Sequence, residues 1–234
     1  MEEFLRQNNT ILTLSIEILA AVTGLFVLKK YKGSAAKYFI YFLVYVAIIE
    51  LLGRYPRYLR NLDLFHSVEG TFLERNYWWY SITWTIGSAL FYQFYYRKIL
   101  KTEIYKKIIK YSTLIFIVTT VIYMVFNLNA FLTLSNILIS SLGLAVILLG
   151  VVFYFMEILK SDRILSFYRS LNFYISATVL VWFLITTPMM FYEVYFTKAD
   201  WNFVFLKWQI YLFANCFMYL TFTFALLWCR PQND

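Results

Sequence analysis

The sequence predicts an all-α, polytopic membrane protein in which seven transmembrane helices form one bundle. Of its 234 residues, 62% are hydrophobic and only 15% are charged, whereas soluble domains average roughly 45–50% apolar and about 25% charged residues. Seven segments are long enough, and poor enough in charge, to cross a hydrocarbon layer of roughly 30 Å. These predicted spans are 9–28, 37–53, 78–96, 108–126, 132–159, 171–192 and 203–229. No connection between them is long enough to fold as a soluble domain, so residues 1–234 are predicted to form a single domain.

The distribution of Lys and Arg predicts the orientation of the bundle. The loops on one side, together with the C-terminus, hold 14 basic residues, and the loops on the other side hold 7. Because cytoplasmic loops are enriched in Lys and Arg, the N-terminus is predicted to lie outside and the C-terminus in the cytoplasm. The first residues, MEEFLRQNNT, are acidic where a signal peptide would be basic, so we expect the first helix to insert without cleavage.

The composition argues against several functional classes. The basic residues that give the net charge of +8 lie in short loops at helix ends, which favours anionic lipid headgroups over nucleic acid as their partner. The chain has one His, His66, and two Cys on one predicted helix, so it lacks the ligands of a haem or a typical zinc site. It also lacks a glycine-rich nucleotide-binding loop. We therefore expect no metal, no cofactor, no catalytic site and no nucleic-acid partner.

The longest connection, residues 54–77, is predicted to lie outside and to contain an interfacial helix. Its apolar residues recur at spacings of three and four, at Leu59, Leu62, Phe65, Val68 and Phe72. That period is typical of an amphipathic helix that lies on the membrane surface.

Ionisable residues near the outer ends of the spans are the candidates for ligand binding. Such groups are costly within a membrane and tend to face a partner or water. Arg54 follows Glu50 by four residues, a spacing that places a carboxylate beside a guanidinium on a helix. We predict an outward-facing vestibule that binds an anion, because guanidinium groups suit carboxylate and phosphate. The alternative is that the arginines reach lipid phosphates and anchor the helix. The candidate residues are Glu17, Glu50, Arg54, Arg57, Arg60, Glu193 and Lys207.

Small and polar residues form stripes on the third and fifth predicted spans. On the fifth span the stripe begins at Asn136 and Ser140. It continues at alternating spacings of three and four through Gly143, Ile147, Gly150, Tyr154 and Glu157. Residues of this kind line either tight helix contacts or a hydrated cavity. The candidates for cavity lining are Ser81, Thr85, Ser88, Asn136, Ser140 and Asn215.

Several hydrophobic motifs together suggest a family. They are NYWWY and FYYRKIL at the two ends of the third span, VVFYFMEILKSD at the end of the fifth, LNFYISATVLVWF through the sixth, and LLWCRP at the end of the seventh. In this order and spacing the chain resembles a large group of seven-helix integral membrane proteins from Bacteroidetes-type bacteria. The resemblance implies a bacterial inner membrane. It also implies a sensory role with a histidine kinase as partner, since such proteins are often encoded beside sensor histidine kinases.

Three hypotheses for function remain open at this point. The first is a receptor-like or accessory module that senses a small anionic or lipidic envelope signal through the outer vestibule and passes it to a partner protein. The second is an ion channel or transporter lined by the stripes of the third and fifth spans, for which we expect a homo-oligomer. The third is a structural subunit of a larger membrane complex.

Overall fold

The computed structural model of the chain describes residues 2–134, 136–161, 166–192 and 201–231, with the backbone alone at 2–7 and 201–202. Every regular element in these ranges is helical. The α-helices are α1 (Glu2–Val27), α2 (Ala36–Gly53), α3 (Tyr55–Asn61), α4 (Tyr77–Tyr80), α5 (Gly87–Ile99), α6 (Glu103–Phe126), α7 (Leu128–Thr133), α8 (Ile137–Leu159), α9 (Leu171–Tyr192) and α10 (Trp201–Trp228). A π-helical segment, Ser81–Ile86, joins α4 to α5.

Six helical segments of the described chain are long and apolar enough to cross a membrane. They are Asn8–Tyr31, Ala36–Asn61, Glu103–Phe126, Ile137–Leu159, Leu171–Tyr192 and Phe203–Trp228. Each corresponds to one of the predicted spans, and together they make the chain a multi-pass membrane protein. The face that α6 leaves exposed agrees with this assignment, because it is apolar along two turns, at Leu114, Ile115, Val118, Val121 and Ile122. An aqueous surface rarely carries so large an apolar patch.

The third predicted span is helical from 77 to 99 but is less apolar than the other six. Its first half holds Trp, Tyr, Ser and Thr, and its second half holds Gln93 among tyrosines. The fold therefore confirms a helix here, whereas length and composition alone place six spans in the membrane and not the predicted seven.

The fifth predicted span begins later than expected. Residues 132–136 were predicted to belong to it, but α7 ends at Thr133 and α8 begins at Ile137. The side-chain amide of Asn136 explains the break, because its nitrogen donates to the backbone oxygens of Phe131 (3.1 Å) and Leu134 (3.2 Å). Asn side chains that bond to nearby backbone in this way compete with helix continuation.

The chain forms two compact units. The first unit comprises residues 1–47 and 158–234, and the second comprises residues 48–157. In the first unit α10 packs along both α1 and α9. The C-terminal end of α10 is capped by side chains: Lys30 Nζ lies 3.1 Å from the Leu227 oxygen, and the Tyr31 hydroxyl lies 2.9 Å from the Cys229 oxygen. Both side chains satisfy carbonyl groups that the end of a helix leaves without intrahelical partners.

The second unit is organised around a seam between the 77–99 helix and α8. Ser81 bonds to Asn136, Ala89 lies beside Gly143, Gln93 bonds to Val146, and Tyr96 lies against Gly150. The partner numbers rise together, so the two helices run in the same direction. The face of α8 that carries Gly143 and Gly150 therefore meets the 77–99 helix in a tight contact, in which the partners beyond Thr85 are Ala89, Gln93 and Tyr96.

The carboxylate of Glu157 fixes the turn between α5 and α6 in the second unit. Its oxygens accept hydrogen bonds from the backbone nitrogens of Lys101 (2.8 Å) and Thr102 (3.0 Å), just before α6 begins. A carboxylate at this position satisfies free N–H groups and interacts favourably with the dipole at the N-terminus of α6.

We expect Glu157→Ala to destabilise the protein by about 1–2 kcal/mol, the usual cost of losing a side chain that caps a helix N-terminus. Thermal unfolding in detergent, followed by circular dichroism, measures the change. Glu103→Ala is the matched control, because Glu103 is exposed and its ion pair is with Lys106 one turn along the same helix, and surface ion pairs contribute little. Equal melting temperatures for the two variants would contradict the capping role of Glu157.

Candidate functional site

The C-terminal end of α2 is held by side chains that come from the start of the 77–99 helix. Trp79 Nε1 donates to the backbone oxygen of Ile49 (3.0 Å), and Asn76 Nδ2 donates to that of Gly53 (2.7 Å). The last four carbonyls of a helix have no intrahelical partner, so the Asn76 bond satisfies the free Gly53 oxygen, while the Trp79 bond adds a second donor to the Ile49 oxygen. Gly53 permits the approach: a Cβ there would lie 2.9 Å from the Trp79 ring.

Glu50 sits at the centre of this junction. Its carboxylate accepts a hydrogen bond from the Tyr80 hydroxyl at 3.0 Å. The positive charge of Arg54, one helical turn further on, also stabilises the carboxylate. The spacing of four residues predicted the proximity of Glu50 and Arg54. It could not predict Tyr80, since a contact across 30 residues leaves no signal in a local spacing pattern.

The segment from Arg54 to Asn76, called here the 54–76 loop, folds back on itself. The Tyr55 hydroxyl lies 2.8 Å from the Leu73 oxygen and accepts a hydrogen bond from Trp78 Nε1 (3.1 Å). The turn requires left-handed backbone at Gly70, where φ is 74°, a conformation that suits glycine. The ends of the loop are therefore tied to each other and to the junction around Glu50.

The loop holds three short helical pieces where one amphipathic helix was predicted. One α-helix, α3, spans Tyr55–Asn61, and two short 3₁₀ turns, Phe65–Ser67 and Phe72–Glu74, follow it. The predicted apolar stripe is thus divided among three pieces. Pro56 lies in the first turn of α3, where its missing N–H costs nothing.

Arg57 and Arg60 are the exposed cations of α3, and they lie one turn apart. The Arg60 guanidinium stacks over the Phe65 ring, 4.3 Å from its centroid. This cation–π contact holds the group in place while leaving it accessible. Exposed apolar side chains lie beside the pair in the chain at Tyr58 and Leu62, and further along the loop at Leu64 and Phe72.

A second polar centre lies deeper in the second unit. Gln93 is 1% exposed, and its amide nitrogen donates to the Val146 oxygen. Its amide oxygen accepts from Thr113 Oγ1 (3.3 Å) and lies 3.5 Å from Ser112 Oγ. One side chain thus joins α5, α6 and α8. The π-helical segment lies between this centre and the junction around Glu50, and π-helical turns are rare and frequently occur at functional sites.

The candidate ligand-binding residues do not all meet. Glu50, Arg54, Arg57 and Arg60 share the second unit, where Glu50 and Arg54 meet at the junction and Arg57 and Arg60 lie on the following helix, α3. Glu17 and Lys207 belong to the first unit. Glu17 is buried, and Lys207 Nζ lies 5.9 Å from the Tyr211 ring centroid. Glu193 lies outside the described residues.

The candidates for cavity lining are also divided between the two units. Ser81 and Asn136 bond to each other (3.2 Å), Thr85 packs beside Gly143, and Ser88 is buried. Ser140 is half-buried in the first turn of α8, and its backbone nitrogen donates to the Asn136 oxygen (2.9 Å). In the first unit, the Asn215 oxygen accepts a hydrogen bond from Trp182 Nε1 at 2.8 Å. We conclude that most of these residues make helix contacts.

The described residues were also compared with the requirements of a metal site. Across 2–134, 136–161, 166–192 and 201–231, no group of three His, Cys, Asp or Glu side chains is placed to hold a metal ion. The chemistry that the junction offers is recognition of an anion by guanidinium groups. Comparisons of this chain with protein-family models, with curated proteins and with solved structures found no match.

Proposed function

We propose that this chain is a receptor-like module of a bacterial inner membrane, with the 54–76 loop on the outer side. In this proposal Arg57 and Arg60 bind a phosphate or carboxylate group, and the change passes to a partner protein such as a histidine kinase on the cytoplasmic side. The observation that carries the proposal is the placement of two exposed guanidinium groups on a short helix, α3, that directly follows α2 and whose Tyr55 hydroxyl accepts a hydrogen bond from Trp78 of the 77–99 helix.

The surroundings of the arginine pair favour a ligand at the membrane interface. Apolar side chains that are exposed beside Arg57 and Arg60 suit the boundary between headgroups and acyl chains, and the guanidinium groups suit phosphate oxygens. A lipid headgroup and a small soluble anion share this chemistry.

The link from the loop to the bundle supports a sensing role. Tyr80, which donates to Glu50, directly precedes the π-helical segment, and that segment leads to the buried Gln93. A ligand can shift such a structure only if it binds two arrangements with different affinity. In the proposal, the hydrogen bonds around Glu50 differ between these arrangements.

The proposal includes seven spans, with the N-terminus outside and the C-terminus in the cytoplasm. The 77–99 helix is about 34 Å long at 1.5 Å per residue, and it runs parallel to the apolar span α8 along the seam. Only three residues separate it from α6, a span that runs in the opposite direction. These relations support a membrane crossing by the 77–99 helix. The excess of basic residues in the loops predicted to be cytoplasmic supports the orientation.

The channel or transporter hypothesis has less support. The face of α8 that would line its pathway packs against the 77–99 helix, with the Tyr96 ring against Gly150 and the Gln93 amide bonded to Val146. A structural role explains the exposed apolar surface as well as lipid contact does, but it gives no reason for the exposed arginine pair.

Binding to nanodisc-embedded protein tests the proposal. We expect a water-soluble short-chain phosphatidylglycerol to change the fluorescence of Trp78 and Trp79 at the base of the loop. We expect Arg57→Ala/Arg60→Ala to weaken this binding about tenfold or more, since each charge-assisted hydrogen bond contributes roughly 1.5–3 kcal/mol. Inorganic phosphate, titrated in parallel, distinguishes a free anion from a lipid headgroup.

The matched control is Arg97→Ala/Lys98→Ala, which removes the same charge from two exposed residues at the other end of the 77–99 helix. The control should bind as the wild type does. If both double variants lose binding equally, the interaction is a general response to net charge. If Arg57→Ala/Arg60→Ala binds normally, the arginine pair is not the receptor site.

A further inference from the structure

Three buried oxygen atoms of the second unit have no hydrogen-bond partner among the described residues. They are Ser88 Oγ, Thr120 Oγ1 and Asn136 Oδ1. Their side chains are 6%, 4% and 5% exposed, respectively. Buried polar groups in native proteins are almost always paired, with protein or with ordered water, so three in one unit call for an explanation.

The positions of Ser88 and Thr120 place them at similar depth. Gln93 of α5 meets Thr113 of α6, and the two helices run in opposite directions. Ser88 precedes Gln93 by five residues, about 7.5 Å along the helix, and Thr120 follows Thr113 by seven residues, about 10.5 Å in the same direction. The two hydroxyl groups therefore differ in depth by roughly 3 Å.

Asn136 extends the row in the direction away from Gln93. Its amide nitrogen bonds to Ser81 Oγ (3.2 Å), which lies seven residues before Ser88. The amide oxygen is thus about 10 Å in depth from Ser88. The π-helical segment Ser81–Ile86 spans the interval between these levels, where its wider turn alters the packing of the helix.

We infer that water molecules are bound in the interior of the second unit, and that the oxygens of Ser88, Thr120 and Asn136 hold them. Each water would bond to one of these oxygens and to neighbouring polar groups, as buried waters commonly do. A single metal ion does not fit, because oxygen ligands must approach a hard cation to about 2.0–2.6 Å, whereas these oxygens are spread along about 10 Å. This inference does not depend on the proposed function.

Solid-state NMR of the wild-type protein in lipid bilayers tests the inference directly. With ¹³C-threonine labelling, magnetisation that starts on water should reach the Cβ of Thr120 early, although this side chain lies inside the unit. The signal is assigned by its loss in Thr120→Val. Thr119, one residue earlier on α6 and only half-buried, is the internal reference. If Thr120 receives no water magnetisation when other threonines do, the inference is wrong.

A stability comparison gives a second readout. Val has nearly the shape of Thr, so Thr120→Val removes the hydroxyl and little else. If water is bound there, the variant should melt about 2–4 °C lower, the shift expected when one hydrogen bond is lost. Thr119→Val, the matched control, should change the melting temperature less. A Thr120→Val variant that is as stable as the wild type, or more stable, would indicate a dry hydroxyl and overturn the inference.

Discussion

Replacing Gln93 by Glu is expected to lower the stability of the protein by about 3 kcal/mol at neutral pH, the order of cost of a buried charge that has no partner. A carboxylate cannot donate to the Val146 oxygen as the Gln93 amide does, and it would set a negative charge against that carbonyl. The position is 1% exposed, so water cannot screen the charge. Thermal unfolding in detergent measures the loss.

The same variant should recover stability as the pH falls. Protonation removes the charge and restores a donor, since a carboxylic acid can donate to Val146. The neutral form is favoured in the folded protein more than in the unfolded chain, so the deficit is greatest at high pH and shrinks on acidification.

Gln93→Leu is the control for the loss of hydrogen bonds without a charge. We expect it to cost about 0.6–1.7 kcal/mol, the range for side-chain hydrogen bonds in membrane proteins, and to show no recovery in acid. If the Glu and Leu variants are equally stable at neutral pH, Gln93 is accessible to water and does not join three helices in a dry interior.

The apolar pattern of the sequence predicted the long helices well. The predicted span 171–192 coincides with α9, and the predicted span 37–53 differs from α2 by one residue. A segment that must satisfy its backbone inside lipid has few alternatives to a helix, so hydrophobic length is a strong signal. The start of α8 was less predictable, because the side chain of Asn136 ends the preceding turn.

The polar contacts were predictable only where a period marked them. The stripe through Gly143 and Gly150 correctly indicated the face of α8 that meets the 77–99 helix. Gln93 carried no such mark, because it is one polar residue among tyrosines. The partners of Glu157 are backbone N–H groups, which every residue but proline has, so no residue type marks them in advance.

Gly150→Ala is expected to destabilise the protein although alanine favours helices. A Cβ at this position would lie 2.9 Å from Tyr96 Cγ. The ring cannot move aside easily, because Tyr96 is buried and its neighbours include the rings of Tyr92, Tyr95 and Tyr154. Overpacking of this kind costs about 1–3 kcal/mol, against a gain of up to about 1 kcal/mol in helix propensity. Thermal unfolding in detergent measures the net loss.

Gly143→Ala, on the same face of α8, is the matched control. A Cβ there would lie 3.7 Å from Ala89 Cβ and 3.7 Å from Thr85 Cγ2, which is ordinary contact, so only the gain in helix propensity should remain. The two alanine variants should therefore shift the melting temperature in opposite directions. Adding Tyr96→Leu should relieve part of the Gly150→Ala loss, because the two side chains interact directly. If Gly143→Ala is instead the destabilising variant, the close approach lies at Gly143, and the register of the seam differs by two helical turns.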